Sequence, residues 1–203
     1  MRITGGTHRS RILKTLSGRL VRPTSDRVRQ ALFNIVGERL EGARVLDLFA
    51  GTGSLGLEAL SRGAAAAVFV DKDRRAVELV RENVEALGLA DKTRILCFDL
   101  LESPKRLLSI ERPFDVVFLD PPYVLTGSVG VDSKLGALLD LLWTAGIIEP
   151  KSGLAVLEHD RRSIVAEQGK SFRVSDRRTY GDTSLAFLVS KETGCLSRTD
   201  TNT

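Results

Sequence analysis

Short apolar runs alternate with helical stripes along most of this 203-residue chain. Residues 44–49, 66–70, 93–98, 114–119 and 154–158 are compact runs rich in Val, Leu, Ile and Phe, the pattern of strands covered on both faces. Between them, residues 54–61 and 74–87 read as helices. In the second, Val77, Val80, Val84 and Leu87 share one face, and Gly88 is placed to end it. Residues 132–145 predict a leucine-rich helix before the fifth strand. Upstream, Val28, Ala31, Leu32, Ile35, Val36 and Leu40 form one apolar stripe of a helix starting at Ser25, with Thr24 or Ser25 as cap and Pro23 outside it. Strand–helix alternation of this kind means βαβ units, hence an α/β fold with a doubly wound, mostly parallel sheet. Residues 172–180 and 184–189, joined at Gly181-Asp182, read as a closing hairpin, so the last of the seven strands is expected to run antiparallel. Residues 191–203 are polar and aperiodic and are expected to be a disordered tail.

Composition narrows the class. A chain 42% hydrophobic and 28% charged is an ordinary soluble domain, long enough for one core without staples. No apolar run approaches the roughly 20 residues that cross a membrane, and Met1-Arg2-Ile3-Thr4-Gly5-Gly6 is no secretory signal. Cys97 and Cys195 are too far apart to suggest a disulfide framework or a metal site. Cys97, in an apolar run, is expected in the core. The reading is a cytoplasmic protein, and a monomer, because no apolar stripe is left over.

The net charge of +4 says little until its distribution is seen. Arg2, Arg9, Arg11, Lys14, Arg19, Arg22, Arg27 and Arg29 face a single acid, Asp26, within residues 1–29. Ile3, Ile12, Leu13, Leu16, Leu20 and Val21 interleave with these charges, which suits a small hairpin better than a solvated tail. Residues 1–22 are therefore read as a basic arm, 23–190 as the α/β domain and 191–203 as the tail. Arg2, Arg9, Arg11 and Lys14 are the arm's candidates for contact with a nucleic-acid backbone.

Asp120-Pro121-Pro122-Tyr123 follows the fourth strand run, at the edge where open α/β folds place ligands. Two consecutive prolines fix φ and remove two backbone donors, so the strand must stop. What remains is the Asp120 carboxylate, the Asp120 and Pro121 carbonyls and an aromatic face. Acceptors beside a stacking surface suit a planar base with an exocyclic amino group. Most isolated Pro-Pro pairs are merely turns. The rest of the chain decides.

The first strand run leads into Ala50-Gly51-Thr52-Gly53-Ser54-Leu55-Gly56, a G-x-G-x-x-G between strand and helix. Such glycines let a ligand approach the backbone. Asp71 ends the next strand about 20 residues on, where an acid accepts from ribose hydroxyls. The fingerprint serves a dinucleotide or S-adenosylmethionine equally. Asp47, just ahead of the glycines beside Phe49, favours the second, because a carboxylate repels a pyrophosphate and attracts an ammonium or sulfonium. Asp99, ending the third strand, can accept from an adenine amino group. Singly, each acid could be a strand-end cap; together they fit an adenosyl-amino-acid pocket.

These motifs carry a resemblance. Val45-Leu46-Asp47-Leu48-Phe49-Ala50-Gly51-Thr52-Gly53 resembles motif I of class I S-adenosylmethionine-dependent methyltransferases. Asp120-Pro121-Pro122-Tyr123 resembles the motif of those that methylate exocyclic amines of nucleobases. The 22–34 segment, with Arg2-Ile3-Thr4-Gly5-Gly6 and Tyr180-Gly181-Asp182-Thr183, is similar to the RsmD family, up to about Val189. The resemblance implies a Rossmann-like fold and methyl transfer from S-adenosylmethionine to guanine N2 of 16S rRNA, at the family's guanine 966. The small ribosomal subunit or an assembly intermediate is the implied partner. It implies Asp47, Phe49, Gly51, Gly53, Asp71 and Asp99 at the cofactor. Asp120, Pro121 and Tyr123 are implied as catalytic, with Pro122 and Tyr123 against the base. Asp71 stands where the family often has Glu, and either carboxylate can bind a ribose.

Three other functions compete. An adenine-N6 methyltransferase shares the Asp-Pro-Pro-Tyr chemistry, a dinucleotide oxidoreductase shares the glycine loop, and a non-catalytic RNA-binding module needs only the arm. His8 has no placement in the site, and His159 is expected to be an ordinary exposed histidine. Trp143 reads as core or a helix-face anchor. Asp26 and Arg27 could reach the cofactor or tie the arm to the sheet. Residues 127–130 read as a mobile loop able to close over the base.

Overall fold

The structure, a computed structural model, describes residues 1–15, 26–130 and 132–193. The caps Thr24 and Ser25, the arm beyond Thr15, Cys195 and most of the expected tail lie outside the described residues. In chain order the elements are α1 (Asp26–Val36), β1 (Arg44–Leu48), α2 (Ser54–Ser61), β2 (Ala66–Asp71), α3 (Arg74–Leu87), β3 (Thr93–Cys97) and β4 (Val116–Leu119). There follow α4 (Tyr123–Thr126), β5 (Ser128–Val129), α5 (Lys134–Thr144), β6 (Leu154–Asp160), β7 (Ile164–Val165), β8 (Phe172–Tyr180) and β9 (Thr183–Ser190).

The main sheet has the order β3-β2-β1-β4-β6-β9-β8. Its first five strands are parallel; β9 runs antiparallel to β6, and β8 to β9. This is the predicted Rossmann-like sheet with its antiparallel end. On one face Phe33 of α1, Leu57 of α2 and Val80 of α3 pack with Val45, Phe69 and Phe118. On the other, Leu138, Leu139 and Leu142 of α5 pack with Leu46, Val117 and Leu157. Strands covered on both sides have no polar face to alternate with, which is why their sequences are continuous apolar runs. Trp143 is core, stacked on Phe172 with ring centroids 5.9 Å apart. Gly88 ends α3 at φ 67°, the left-handed cap that its position predicted.

The buried stripe of α1 is rotated from the predicted one. Val28, Arg29, Leu32, Phe33 and Val36 are buried, whereas Ile35 is 44% exposed. A buried arginine hides the inward face from any count of apolar residues. Cys97 is exposed, not core, because β3 is an edge strand with only partial cover. His159 is buried, not exposed, because β6 runs on to Asp160 and pairs there with β9. Residues 127–130 are no free loop: they contain β5, which pairs in parallel with β7. Two-residue strands are too short for periodicity to register.

The described part of the arm, residues 1–15, is a hairpin laid on α1 and α2. Arg2 and Ile12 bridge antiparallel, and Ile3 and Leu13 enter the core. Beneath it, fully buried Glu58 of α2 accepts from the Thr4 amide and hydroxyl, both at 2.7 Å, and pairs with Arg62 at 2.8 Å and Arg29 at 3.7 Å. A buried carboxylate needs such partners, and these come from the arm, α1 and α2 together. No helix among the described residues is long and apolar enough to cross a membrane.

Candidate active site

The strand order reverses between β1 and β4; α2 after β1 and the longer helix α5 beyond β4 cover opposite faces. Their paired carboxyl ends carry the glycine loop and Asp120-Pro121-Pro122-Tyr123. A crevice outside such a switch point is where open α/β sheets bind ligands.

Phe49, Gly51 and Gly53 have φ of 61°, 55° and 75°. Glycine enters that region freely, but an aromatic residue held there is strained, as residues at ligand sites often are. The Gly51 N–H donates to Asp71 Oδ2 and the Gly56 N–H to Asp47 Oδ2, each at 2.8 Å. A Cβ on Gly56 would lie 2.3 Å from the Phe69 ring, so the third glycine permits close packing of α2 on the sheet.

A cavity of about 460 Å³ fills the crevice, a volume usual for small-molecule sites. Phe49, Gly51, Asp71 and Asp99 line it, and so do Asp120, Pro121, Pro122 and Tyr123. Asp71 also accepts from the Asp73 N–H at 2.9 Å. Asp99 is partly buried, which disfavours its charge. The Leu101 N–H at 2.9 Å, Lys72 Nζ at 3.3 Å and the Glu102 N–H outweigh this and hold its pKa below the usual carboxylate range. Tyr123 Oη lies 3.2 Å from Thr183 Oγ1, so the Tyr180-Gly181-Asp182-Thr183 turn braces the Asp-Pro-Pro-Tyr segment.

Two of the expected cofactor residues are not on the wall. Gly53 caps α2 against Val80 and Phe69. Asp47 is buried beneath the loop, its carboxylate directed to the Gly56 amide. Burial pushes its pKa well above the usual range; the Gly56 N–H opposes this, and the Asp120 and Asp71 carboxylates add to it. A raised acid keeps in the folded state a proton that the unfolded chain has lost. Its contribution to stability therefore falls as pH rises from the ordinary carboxylate range toward the folded pKa. Asp47→Asn keeps an acceptor for Gly56 and carries no charge. It is expected to remove that slope, as melting curves between about pH 4 and pH 8 would show. The same variant should leave S-adenosylmethionine affinity nearly unchanged if Asp47 only braces the loop, and weaken it if its charge attracts the cation.

The arm's cations are also off the wall. Arg2 pairs with Asp26 at 3.5 Å and Lys14 with Glu82 at 2.8 Å, while Arg9 and Arg11 are exposed. Asp26 also pairs with Arg29 at 2.8 Å, so of its two readings the structure makes the tie to the arm. Met1 and Thr15 do reach the cavity, carried there by the hairpin bond from the Leu13 N–H to the Met1 carbonyl. They, Lys72, Phe98 and Leu100 escaped the sequence reading, since none belongs to a motif. Only the adjacency of Lys72 to Asp71 and of Phe98 to Asp99 pointed to them.

Residues 1–189 match the family described as conserved hypothetical protein 95. The chain belongs to that family. It is the RsmD family that the 22–34 segment resembles. The chain is 37% identical to Bacillus subtilis "Putative rRNA methyltransferase YlbH" over 92% of its length and 97% of that protein's. It is 39% identical to Escherichia coli K12 "Ribosomal RNA small subunit methyltransferase D", over 61% of this chain and 60% of that one. A solved structure of a hypothetical protein from Thermus thermophilus superposes with a TM-score of 0.75 at 33% identity, covering 94% of this chain and 99% of that one.

S-adenosylmethionine is the cofactor that this fold and family imply. The site fits it. A Cβ on Gly51 would meet nothing nearer than the Phe49 carbonyl at 4.0 Å, so the missing side chain leaves open cavity. Beyond it lie the acceptors Asp71 and Asp99, with Phe98 and Leu100 as apolar walls.

Proposed function

We propose that this protein methylates the exocyclic N2 amine of a guanine in 16S rRNA, at the position equivalent to the family's guanine 966, acting as a cytoplasmic monomer on the small subunit or its assembly intermediate. One observation carries the reading. Asp120, Pro121 and Tyr123 line the same cavity as Gly51, Asp71 and Asp99, with the strands that carry Asp120 and the glycine loop paired side by side. The names of the Bacillus subtilis and Escherichia coli relatives support the rRNA substrate.

When bound, S-adenosylmethionine supplies an electrophilic methyl group. The protein's own part is to bind, orient and polarise the amine. A guanine amine is a poor nucleophile because its lone pair is delocalised into the ring. Asp120 and the Pro121 carbonyl accept its two N–H bonds, which lets the nitrogen rehybridise and aim its lone pair. Pro121 and Pro122 have no amide N–H to compete for those acceptors. The Tyr123 ring stacks on the base, which leaves its RNA stack to reach the cavity. Asp120 or water takes the proton that the methylated amine releases.

Labelled methyl transfer to small subunits lacking native modifications, with naked rRNA and DNA alongside, tests the reading. N2-methylguanosine at one 16S site is the expected product; N6-methyladenine would keep the fold and mechanism and replace the substrate. Arg9 and Arg11 supply exposed charge for the RNA backbone. Arg9→Ala with Arg11→Ala is expected to reduce the salt slope of RNA binding by about 2 without lowering the melting temperature. An unchanged slope across a salt titration would remove them from the interface.

A further inference from the structure

Val124 directly follows Tyr123, walls the cavity and is nonetheless 92% exposed. The next most exposed large apolar side chains among the described residues are Ile12 at 83% and Ile164 at 73%. Ile12 lies in the hairpin that brings Met1 and Thr15 to the cavity; the Ile164 N–H bonds the Gly127 carbonyl, just past α4. One exposed apolar residue is ordinary. Here the other two lie in segments joined to ones that line the cavity, and Val124 is the one on the cavity wall.

Its backbone is held firmly. The Leu125 N–H donates to the Pro122 carbonyl at 2.8 Å, Thr126 Oγ1 to the Tyr123 carbonyl at 3.0 Å, and Thr126 Oγ1 lies 3.2 Å from Ser163 Oγ. A β-branched side chain on a braced turn has few rotamers to lose on contact. When a base leaves its stack, its neighbours lose their stacking partner, and an apolar wedge at the gap offsets part of that cost. Tyr123 cannot serve there, since it already lines the cavity that the base enters and is held to Thr183 at 3.2 Å.

We propose that Val124 is a positioning residue, the wedge that fills the gap left in the RNA stack when the target guanine enters the cavity. The inference rests on the guanine-N2 reading. The probe is a stem-loop RNA of the 16S sequence around the target, with 2-aminopurine in place of the target guanine, whose fluorescence rises on unstacking. Wild-type protein and Val124→Ile are expected to raise the signal, and Val124→Ser to lose most of the rise with S-adenosylmethionine binding unchanged. With guanine restored, Val124→Ser is expected to lower kcat/KM about tenfold on the stem-loop, and less than about twofold on an RNA whose target is already unstacked by a neighbouring abasic site. Equal losses on both RNAs, or none on either, would overturn the wedge. Wild-type protein that unstacks 2-aminopurine through Val124 yet methylates no guanine would overturn the guanine-N2 reading and leave the wedge standing. No dependence of the signal on Val124 overturns the wedge whatever the methylation result.

Discussion

Asp120→Ala is expected to lower kcat about 10²–10³-fold, the usual cost of removing one preorganised acceptor or donor at a reacting centre. The affinity for S-adenosylmethionine should change less than about twofold, a difference of under 0.5 kcal/mol. The separation follows from the layout of the cavity. Asp120 follows β4, whereas Gly51, Asp71 and Asp99 follow or end β1, β2 and β3. Of the two acceptors proposed for the amine, removing the carboxylate leaves only the Pro121 carbonyl, so the amine would be held without its lone pair being freed. Asp120→Asn sharpens the test: its amide oxygen can still accept one N–H but the negative charge is gone, so it should cost less than alanine if the acceptor is what matters and as much if the charge is. Turnover of Asp120→Ala within about threefold of wild type would remove Asp120 from the chemistry.

The ordering of this site along the chain explains why so much of it was legible. A parallel sheet brings the residue after each strand to one edge, so Asp71, Asp99 and Asp120 could be placed together from strand runs alone. Asp47 shows where that logic stops. It lies inside β1, two residues before the loop, and the alternation of the strand turns it beneath the glycines, where burial and the Gly56 amide take its carboxylate. Arg29 shows a second limit: a charged residue on a buried helix face is invisible to a count of apolar positions, and only Glu58, Asp26 and the Arg2 carbonyl explain it. His159 and Cys97 changed places for a related reason. Both lie near strand ends, and whether a strand end is covered depends on its neighbour in the sheet: β9 over the end of β6, none beyond β3. Met1 and Thr15 depend on how the hairpin docks, a tertiary fact with no local pattern.

Asp71→Ala is expected to raise the dissociation constant for S-adenosylmethionine by one to two orders of magnitude, roughly 1.5–3 kcal/mol for a hydrogen bond to a charged group. The carboxylate serves the site twice. It faces the cavity at the end of β2, where it can accept from ribose hydroxyls, and its Oδ2 holds the Gly51 N–H at 2.8 Å. Its loss therefore removes a ligand contact and releases the loop at the left-handed glycine, φ 55°. Asp71→Glu separates the two roles. The longer acid can still reach a ribose, but its carboxylate no longer sits where the Gly51 and Asp73 amides converge. If the ligand contact dominates, Asp71→Glu keeps most of the affinity; if the loop brace dominates, it loses nearly as much as Asp71→Ala. Calorimetric titration of S-adenosylmethionine into the three proteins decides between them, and an unchanged curve for Asp71→Ala would remove the residue from the pocket. Turnover at saturating cofactor should recover largely in either variant, because Asp71 ends β2 whereas Asp120 and Pro121, proposed to hold the amine, follow β4.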